Sequence, residues 1–281
     1  MRALFGWRNR LLNGVLRAGS QVSGLDVGQL QNDQGSPASA WQTAAGALTP
    51  STGAWMQCDA GAAVPWQAFG LFRTNLTAAA RMRIMLGTAA GRGDVLDVTT
   101  SGLAAGYGQL VHALSAEDSE IPLAGMSLGF ATESGATIVA EGPGSVLIPG
   151  IVPVARHLRV EVSDPGNPDG WLNIPLAYAG DGWEPQINIG WDSAPGVDEQ
   201  RDEVTTRGGQ EWTSLRWERR RWELSHQAIV ENEVWPQVMD LQRFARRGGN
   251  VLFVPDGEGP DRQREAVFGI LRSQSDVTYP Y

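Results

Sequence analysis

Residues 156–174 read RHLRVEVSDPGNPDGWLNI, and this stretch constrains the fold more than any other. Leu158, Val160 and Val162 alternate with His157, Arg159 and Glu161. That period of two puts the apolar side chains on one face of a strand. SDPGNPDG then ends the run with Asp-Pro, Asn-Pro and Asp-Gly pairs, all strong turn formers. Asp164, Asn167 and Asp169 could each offer an oxygen to Ca²⁺, but the link lacks the bidentate Glu and the spacing of an EF-hand loop. A chain reversal is the preferred reading, with Ca²⁺ binding as its alternative.

The same punctuation runs along the chain, which carries 35 Gly and 16 Pro between short apolar runs, so many short strands are expected. AWMQCDAG (54–61) reads as a strand ending in a turn, followed by VPWQAFGLFRTNLT. In ARMRIMLG, Met82, Ile84 and Leu86 alternate with Arg81, Arg83 and Met85. Residues 88–150 hold weaker strands, and WLNIPLAYAG is expected as hairpin partner or neighbour of the 156–163 run. The first fifty residues are weakly patterned and read as loops or an extended arm lying on a partner. At 281 residues the chain can bury one large or two medium cores.

After about residue 180 the composition shifts: seven of the 11 Trp lie between 171 and 235. EWTSLRWERRRWEL reads as a long strand whose Trp positions change face near Arg219–Arg221, so a bulge or edge is expected there. One helix is expected near 231–247, where Val234, Val238, Leu241 and Ala245 share a face. Pro236 is tolerable only in its first turn, and Arg246, Arg247 and Gly248 suit its C-terminal end. NVLFVP and AVFGILRS read as two closing strands.

Residues that would carry chemistry are few. His112, His157 and His226 lie in no metal spacing, and no GxSxG elbow, P-loop or dinucleotide fingerprint occurs. Glu117/Asp118 and Asp202/Glu203 read as solvated loop residues, and paired glycosidase carboxylates are not identifiable. Arg92-Gly93-Asp94 and the sequon Asn75-Leu76-Thr77 match short motifs without their context. Cys58 is the single cysteine, which excludes an intrachain disulfide and reads as a core residue. No run approaches the length of a membrane span, and no export signal is visible at the N-terminus, so the chain is expected to be made in a cytoplasm. No catalytic, cofactor-binding or metal residue is assigned, and the chain is expected not to be an enzyme.

A net charge of −9 disfavours nucleic-acid binding by the surface as a whole. Arg216, Arg219, Arg220 and Arg221 interleave with Trp217 and Trp222, a pattern suited to base stacking or to a protein interface. Glu211, Glu218 and Glu223 partly neutralise the cluster, which favours the interface. A plain structural strand, with Arg stems covering apolar surface, remains an equal reading.

Two resemblances add to this. AWMQCDAG, VPWQAFGLFRTNLT, ARMRIMLG and RHLRVEVSD…GWLNIPLAYAG together resemble the discoidin-like (factor 5/8 type C) galactose-binding family, with Trp55–Gly61 and Arg156–Val162 in the positions of its strand motifs. The likeness implies a jelly-roll sandwich over 25–180; no ligand-loop residue of that family transfers to this sequence. RRRWELSHQAIVENEVWPQVMDLQRFARRGGNVLFVPD…AVFGILRS is similar to minor tail and tail-tip proteins of long-tailed bacteriophages, over 181–281. It implies a tail-tube-like β domain in which sheets of neighbouring subunits ring a channel that DNA transits.

The combined expectation is an all-β chain with one notable helix: an N-terminal arm (1–24), a galactose-binding-like jelly-roll sandwich (25–180) and a smaller tail-tube-like β domain (181–281). The function implied is structural, in a virion: a subunit of a phage tail tip or baseplate at the distal end of the tube. Its partners would be copies of itself in a ring, hexameric by preference and trimeric as the alternative, together with tube and hub proteins. Trp212, Trp217, Arg219, Arg220, Arg221 and Trp222 are the expected subunit contacts. The alternative function is a carbohydrate-binding module contacting host glycans through loops such as 88–94.

Overall fold

The computed structural model describes residues 3–32, 35–77, 79–101, 110–113, 137–139, 152–190, 193–205, 211–225, 228–256 and 265–271. In chain order its strands are β1 (Leu4–Asn9), β2 (Val15–Ala18), β3 (Trp41–Gln42), β4 (Trp55–Pro65), β5 (Ala68–Phe72), β6 (Arg81–Gly87), β7 (Leu96–Ser101), β8 (Leu110–Ala113), β9 (Thr137–Val139), β10 (Val154–Ser163), β11 (Asn173–Ile174), β12 (Leu176–Trp183), β13 (Ala194–Thr205), β14 (Glu211–Glu223), β15 (Asn250–Val254) and β16 (Val267–Ile270). One helical segment, α1 (231–246), lies between β14 and β15. The chain is all-β with one notable helix, as its sequence pattern predicts.

Two antiparallel sheets form the sandwich. One has the order β2-β4-β10-β6-β7, the other β16-β15-β1-β12-β5-β8-β9. The alternating runs supply the layer between them: Met56 and Cys58 from β4, Met82, Ile84 and Leu86 from β6, and Leu158, Val160 and Val162 from β10. They face Phe69 and Leu71 of β5 and Ala177 and Ala179 of β12. The strand expected to end in a turn at Gly61 continues to Pro65. Its register against β10 jumps between Ala155 and His157, and Gly61, at φ +78°, lies in the resulting bulge.

The expected pairing of 156–163 with WLNIPLAYAG is not found. β10 pairs with β4 and β6, whereas β12 pairs with β1 and β5. SDPGNPDG therefore carries the chain from one sheet to the other.

The N-terminal segment is not an arm. β1 is an interior strand between β12 and β15, and β2 extends the other sheet beside β4. Leu11, Val27, Leu30 and Trp41 are buried in the sandwich core. β1 and β15 are buried on both faces: Leu4, Leu252 and Val254 on one side, Phe5, Trp7, Val251 and Phe253 on the other. Two-sided burial explains why LFGW and NVLFV are continuous apolar runs without alternation. The seven-stranded sheet also crosses position 180, since β12 runs from 176 to 183 and β15 and β16 prolong the same sheet.

Helix α1 covers Phe5, Trp7, Trp183 and Phe253 with Val238, Leu241 and Ala245. Glu233 is buried, and its carboxylate accepts hydrogen bonds from Trp183 Nε1 (3.1 Å) and the Gln186 amide, which ties the helix start to β12. Residues 234–239 form a π-helical turn around Pro236. Proline has no N–H to donate and its ring crowds the preceding turn, so a widened turn accommodates it inside the helix.

Candidate functional site

The Trp- and Arg-rich strand β14 pairs with β13 in a separate two-stranded sheet. Twelve residues of β13 pair in register, from Ala194↔Glu223 to Thr205↔Glu211, so the ribbon is about 40 Å long. Among the described residues, the contacts that fix it to the body lie at its base. Trp222 donates from Nε1 to the Glu265 carbonyl (2.9 Å) and meets Phe253 edge-on at 5.5 Å, with Leu224 beside it. Ser225 N donates to Ser193 Oγ (3.1 Å), and Gly190 N to the Ser225 carbonyl (2.7 Å). Beyond the base, no described element packs extensively on the ribbon, and no described strand pairs with either outer edge.

The register places the expected contact residues along one strand: Trp212 opposite Val204, Trp217 opposite Gln200, Arg219 opposite Asp198, Arg220 opposite Val197 and Arg221 opposite Gly196. The side chains of Trp212, Trp217, Arg219 and Arg220 lie outside the described residues. Arg221 is exposed and pairs with Glu223 at 3.2 Å. Trp222, expected at a subunit contact, packs instead against its own chain's core. The bulge expected near Arg219–Arg221 lies earlier: the register skips Arg216, between Leu215 and Trp217.

The 163–170 link is held by protein donors. Asp164 is fully buried, accepting from Thr77 N (2.9 Å) and Asn167 Nδ2 (3.0 Å) on one oxygen and from Thr77 Oγ1 (2.6 Å) on the other. Asn75 Nδ2 donates to Asp169 Oδ2 (2.8 Å) and to the Trp171 carbonyl, while Asn75 Oδ1 accepts from Asn173 N. The sequon asparagine thus serves as a strut inside the fold. The Trp171 side chain stands exposed at the end of the link. Among the described residues no cluster of three His, Cys, Asp or Glu side chains is placed to hold a metal ion. In the 88–94 loop, Asp94 accepts from both the amide and the hydroxyl of Thr88, and these bonds hold its carboxyl below the usual range.

A cleft that the sequence reading did not find lies between the β1–β2 connection and the end of α1. It has a volume of about 520 Å³. Its polar wall carries Arg8, Arg10, Asn13, Arg243 and Arg247, and Leu12, Ala60, Val64 and Phe244 give it an apolar side. Arg8 reaches Asp181 (3.3 Å) and Asp240 (3.0 Å), and Trp7 Nε1 donates to the same Asp240 oxygen (3.0 Å). Burial works against the charge of Arg8, but its bonds to Asp240 and Asp181 outweigh that and raise its pKa. Burial likewise tends to raise Asp240, but hydrogen bonds from Trp7 and Arg8 hold it low. Arg10 Nη2 lies 2.8 Å from Asp181 Oδ1 as an ion pair without hydrogen-bond alignment. The only sequence signal was the Arg8-Asn9-Arg10 triplet. Arg247 read simply as a partner of the helix dipole, and distance in sequence hid the side of the cleft that it forms with Arg243.

No family model and no curated protein matches the chain. Among solved structures it is similar to the lectin domain of lectinolysin complexed with Lewis b antigen (13% identity, TM-score 0.39, covering 61% of this chain and 95% of that one). It is also similar to a Streptococcus pneumoniae fucose-binding module (9%, 0.38, 62% and 97%) and to chitosan-binding module 1 of a Paenibacillus chitosanase/glucanase (15%, 0.37, 62% and 99%).

Proposed function

We propose that the chain is a structural subunit whose β13–β14 ribbon joins the sheet of a neighbouring copy, in the tail-tip ring that the phage resemblance implies. The ribbon carries this reading: twelve paired residues with both outer edges free of any described strand. An isolated two-stranded ribbon is marginal in water, and its free N–H and C=O groups are a template for another strand. Anchored by Trp222 at its base, it can reach a neighbour while the sandwich stays folded behind it. Repeating a head-to-tail contact of this kind closes a ring when the rotation allows.

The test is the native mass and negative-stain image of the purified chain beside a variant in which residues 197–220 are replaced by a short turn. Closed rings from the full chain and soluble, folded monomers from the variant support the reading. Rings from both, or monomers from both at high concentration, remove the ribbon from it. Trp217→Ala should shift rings toward monomers if that residue lies at the contact.

The alternative, glycan binding by the sandwich, is favoured by one observation: Trp171 is exposed at the end of a link pinned by Asn75 and Asp164, a rigidly held aromatic face of the kind saccharides stack on. Saturable quenching of tryptophan fluorescence by an oligosaccharide, lost in Trp171→Ala, would support it.

A further inference from the structure

We infer that the cleft between the β1–β2 connection and the end of α1 is a binding site for a small ligand bearing an oxyanion, a sulfate, phosphate or carboxylate. It stands on geometry separate from the ribbon. Four of the lining residues are Arg8, Arg10, Arg243 and Arg247, against the lining carboxylate Asp240 and the carboxylate of Asp181, which pairs with Arg8 and Arg10 from behind the wall. This concentration of positive charge belongs to a chain whose net charge is −9. A concave basic surface focuses the field and draws an anion from solution, even where the molecule as a whole repels it.

The Asp240 carboxylate is held by hydrogen bonds from Trp7 and Arg8, and its charge also acts on Arg243, so it offsets part of the wall's positive charge. Arg243, in the last turn of α1, and Arg247, the residue that caps it, are exposed one turn apart, and neither guanidinium forms a hydrogen bond or ion pair among the described residues. Across the cleft, Arg10 lines the wall with its guanidinium ion-paired to Asp181 at 2.8 Å, and its buried Nε has no hydrogen-bond partner among the described residues. A guanidinium presents its N–H groups as a planar fork that fits the paired oxygens of these anions. The lining arginines thus come from two elements far apart in sequence, residues 8–10 and 243–247, and share one cavity.

The cavity is the size of an ordinary small-molecule site, and Leu12, Ala60, Val64 and Phe244 give it an apolar side. That side suits a ligand with a non-polar face next to its anionic group. The oxyanion can therefore arrive either free or carried on an acidic sugar ring, and the probes below separate these sources.

Calorimetric titration at low ionic strength with sodium pyrophosphate, a sulfated disaccharide, a glucuronate disaccharide and neutral maltose tests the site. Binding of the anionic probes without maltose is expected, weakened by roughly tenfold or more in Arg243→Gln/Arg247→Gln and weakened by added salt. The exposed Arg81, on β6 and outside the cleft, provides the control, and Arg81→Gln should bind as the unaltered chain does. Equal affinity for pyrophosphate and the acidic disaccharides assigns a free anion; clear preference for the disaccharides assigns an acidic sugar. The proposal is overturned if no anionic probe binds, if the double variant binds unchanged, or if Arg81→Gln weakens binding as much. Unchanged thermal unfolding of both variants separates these outcomes from loss of fold.

Discussion

β10 and β14 are both long, alternating antiparallel strands, yet they are held in opposite ways. β10 has a partner on each edge, β4 and β6, and turns Leu158, Val160 and Val162, each no more than 1% exposed, into a layer closed by the facing sheet. β14 has one described partner, β13, and among the described residues its contacts with the body lie at Trp222 and its neighbours. The difference teaches that alternation specifies a strand, whereas what lies opposite specifies whether that strand is stable within its own chain. β10 is complete by itself. β14 has the pairing groups and length of a sheet strand without a sheet around it, which is why assembly is read from it.

The largest test of the comparison lies at the end of β10. Asp164→Ala removes an acceptor from three donors beneath the link, and unpaired buried donors are costly. Denaturant unfolding should show a loss of about 4 kcal/mol, whereas Asp169→Ala, with one exposed bond, should cost less than about 1 kcal/mol. Equal effects would mean that the buried carboxylate is not what fixes the link.

Next comes the strand itself. Leu158→Ala should lower unfolding free energy by about 3 kcal/mol through lost burial and a cavity. Thr213→Ala, exposed on β14, should stay within about 0.5 kcal/mol. A comparable loss at both sites would contradict the picture of one strand buried and the other peripheral.

Trp222→Ala should cost about 2 kcal/mol, less than a fully buried Trp. Its sharper readout is hydrogen exchange: amides of 194–223 should lose protection while those of 154–163 keep theirs. Uniform loss across both strands would show that the ribbon is part of the cooperative core.

The smallest effect is electrostatic. Arg156 donates two hydrogen bonds to Asp59, and Gly61 N a third, holding that carboxyl well below its usual range. A depressed folded pKa adds stability above the unfolded value, near 3.9, and that stability is lost as pH falls through and below it. The Tm difference between the unaltered chain and Asp59→Asn should therefore be small at pH 7 and shrink below about pH 4. Being a solvent-facing pair, it should shrink with salt as well.

Much of this was legible. The runs at 55–61, 81–87 and 156–163 declare strands through a period of two, and Val234, Val238, Leu241 and Ala245 declare a helix through a period near 3.6. Both periods are local consequences of backbone geometry, so one stretch of sequence suffices to read them. Burial on both faces erases that signal, which is why LFGW at residues 4–7 was read as part of an arm and proved to be an interior strand. The bulge at Arg216 was displaced from its expected place because register belongs to two strands and cannot be read from one.

By itself, then, the sequence determined the all-β class, the helix near 231–246 and the turn-forming character of SDPGNPDG, since each follows from residue type and spacing. Only the tertiary structure decided that the link crosses between sheets, that Trp222 is an internal anchor and that Arg10 meets Arg243 and Arg247 around one cleft. Those facts depend on which apolar faces cover one another, and that is settled by the whole chain at once.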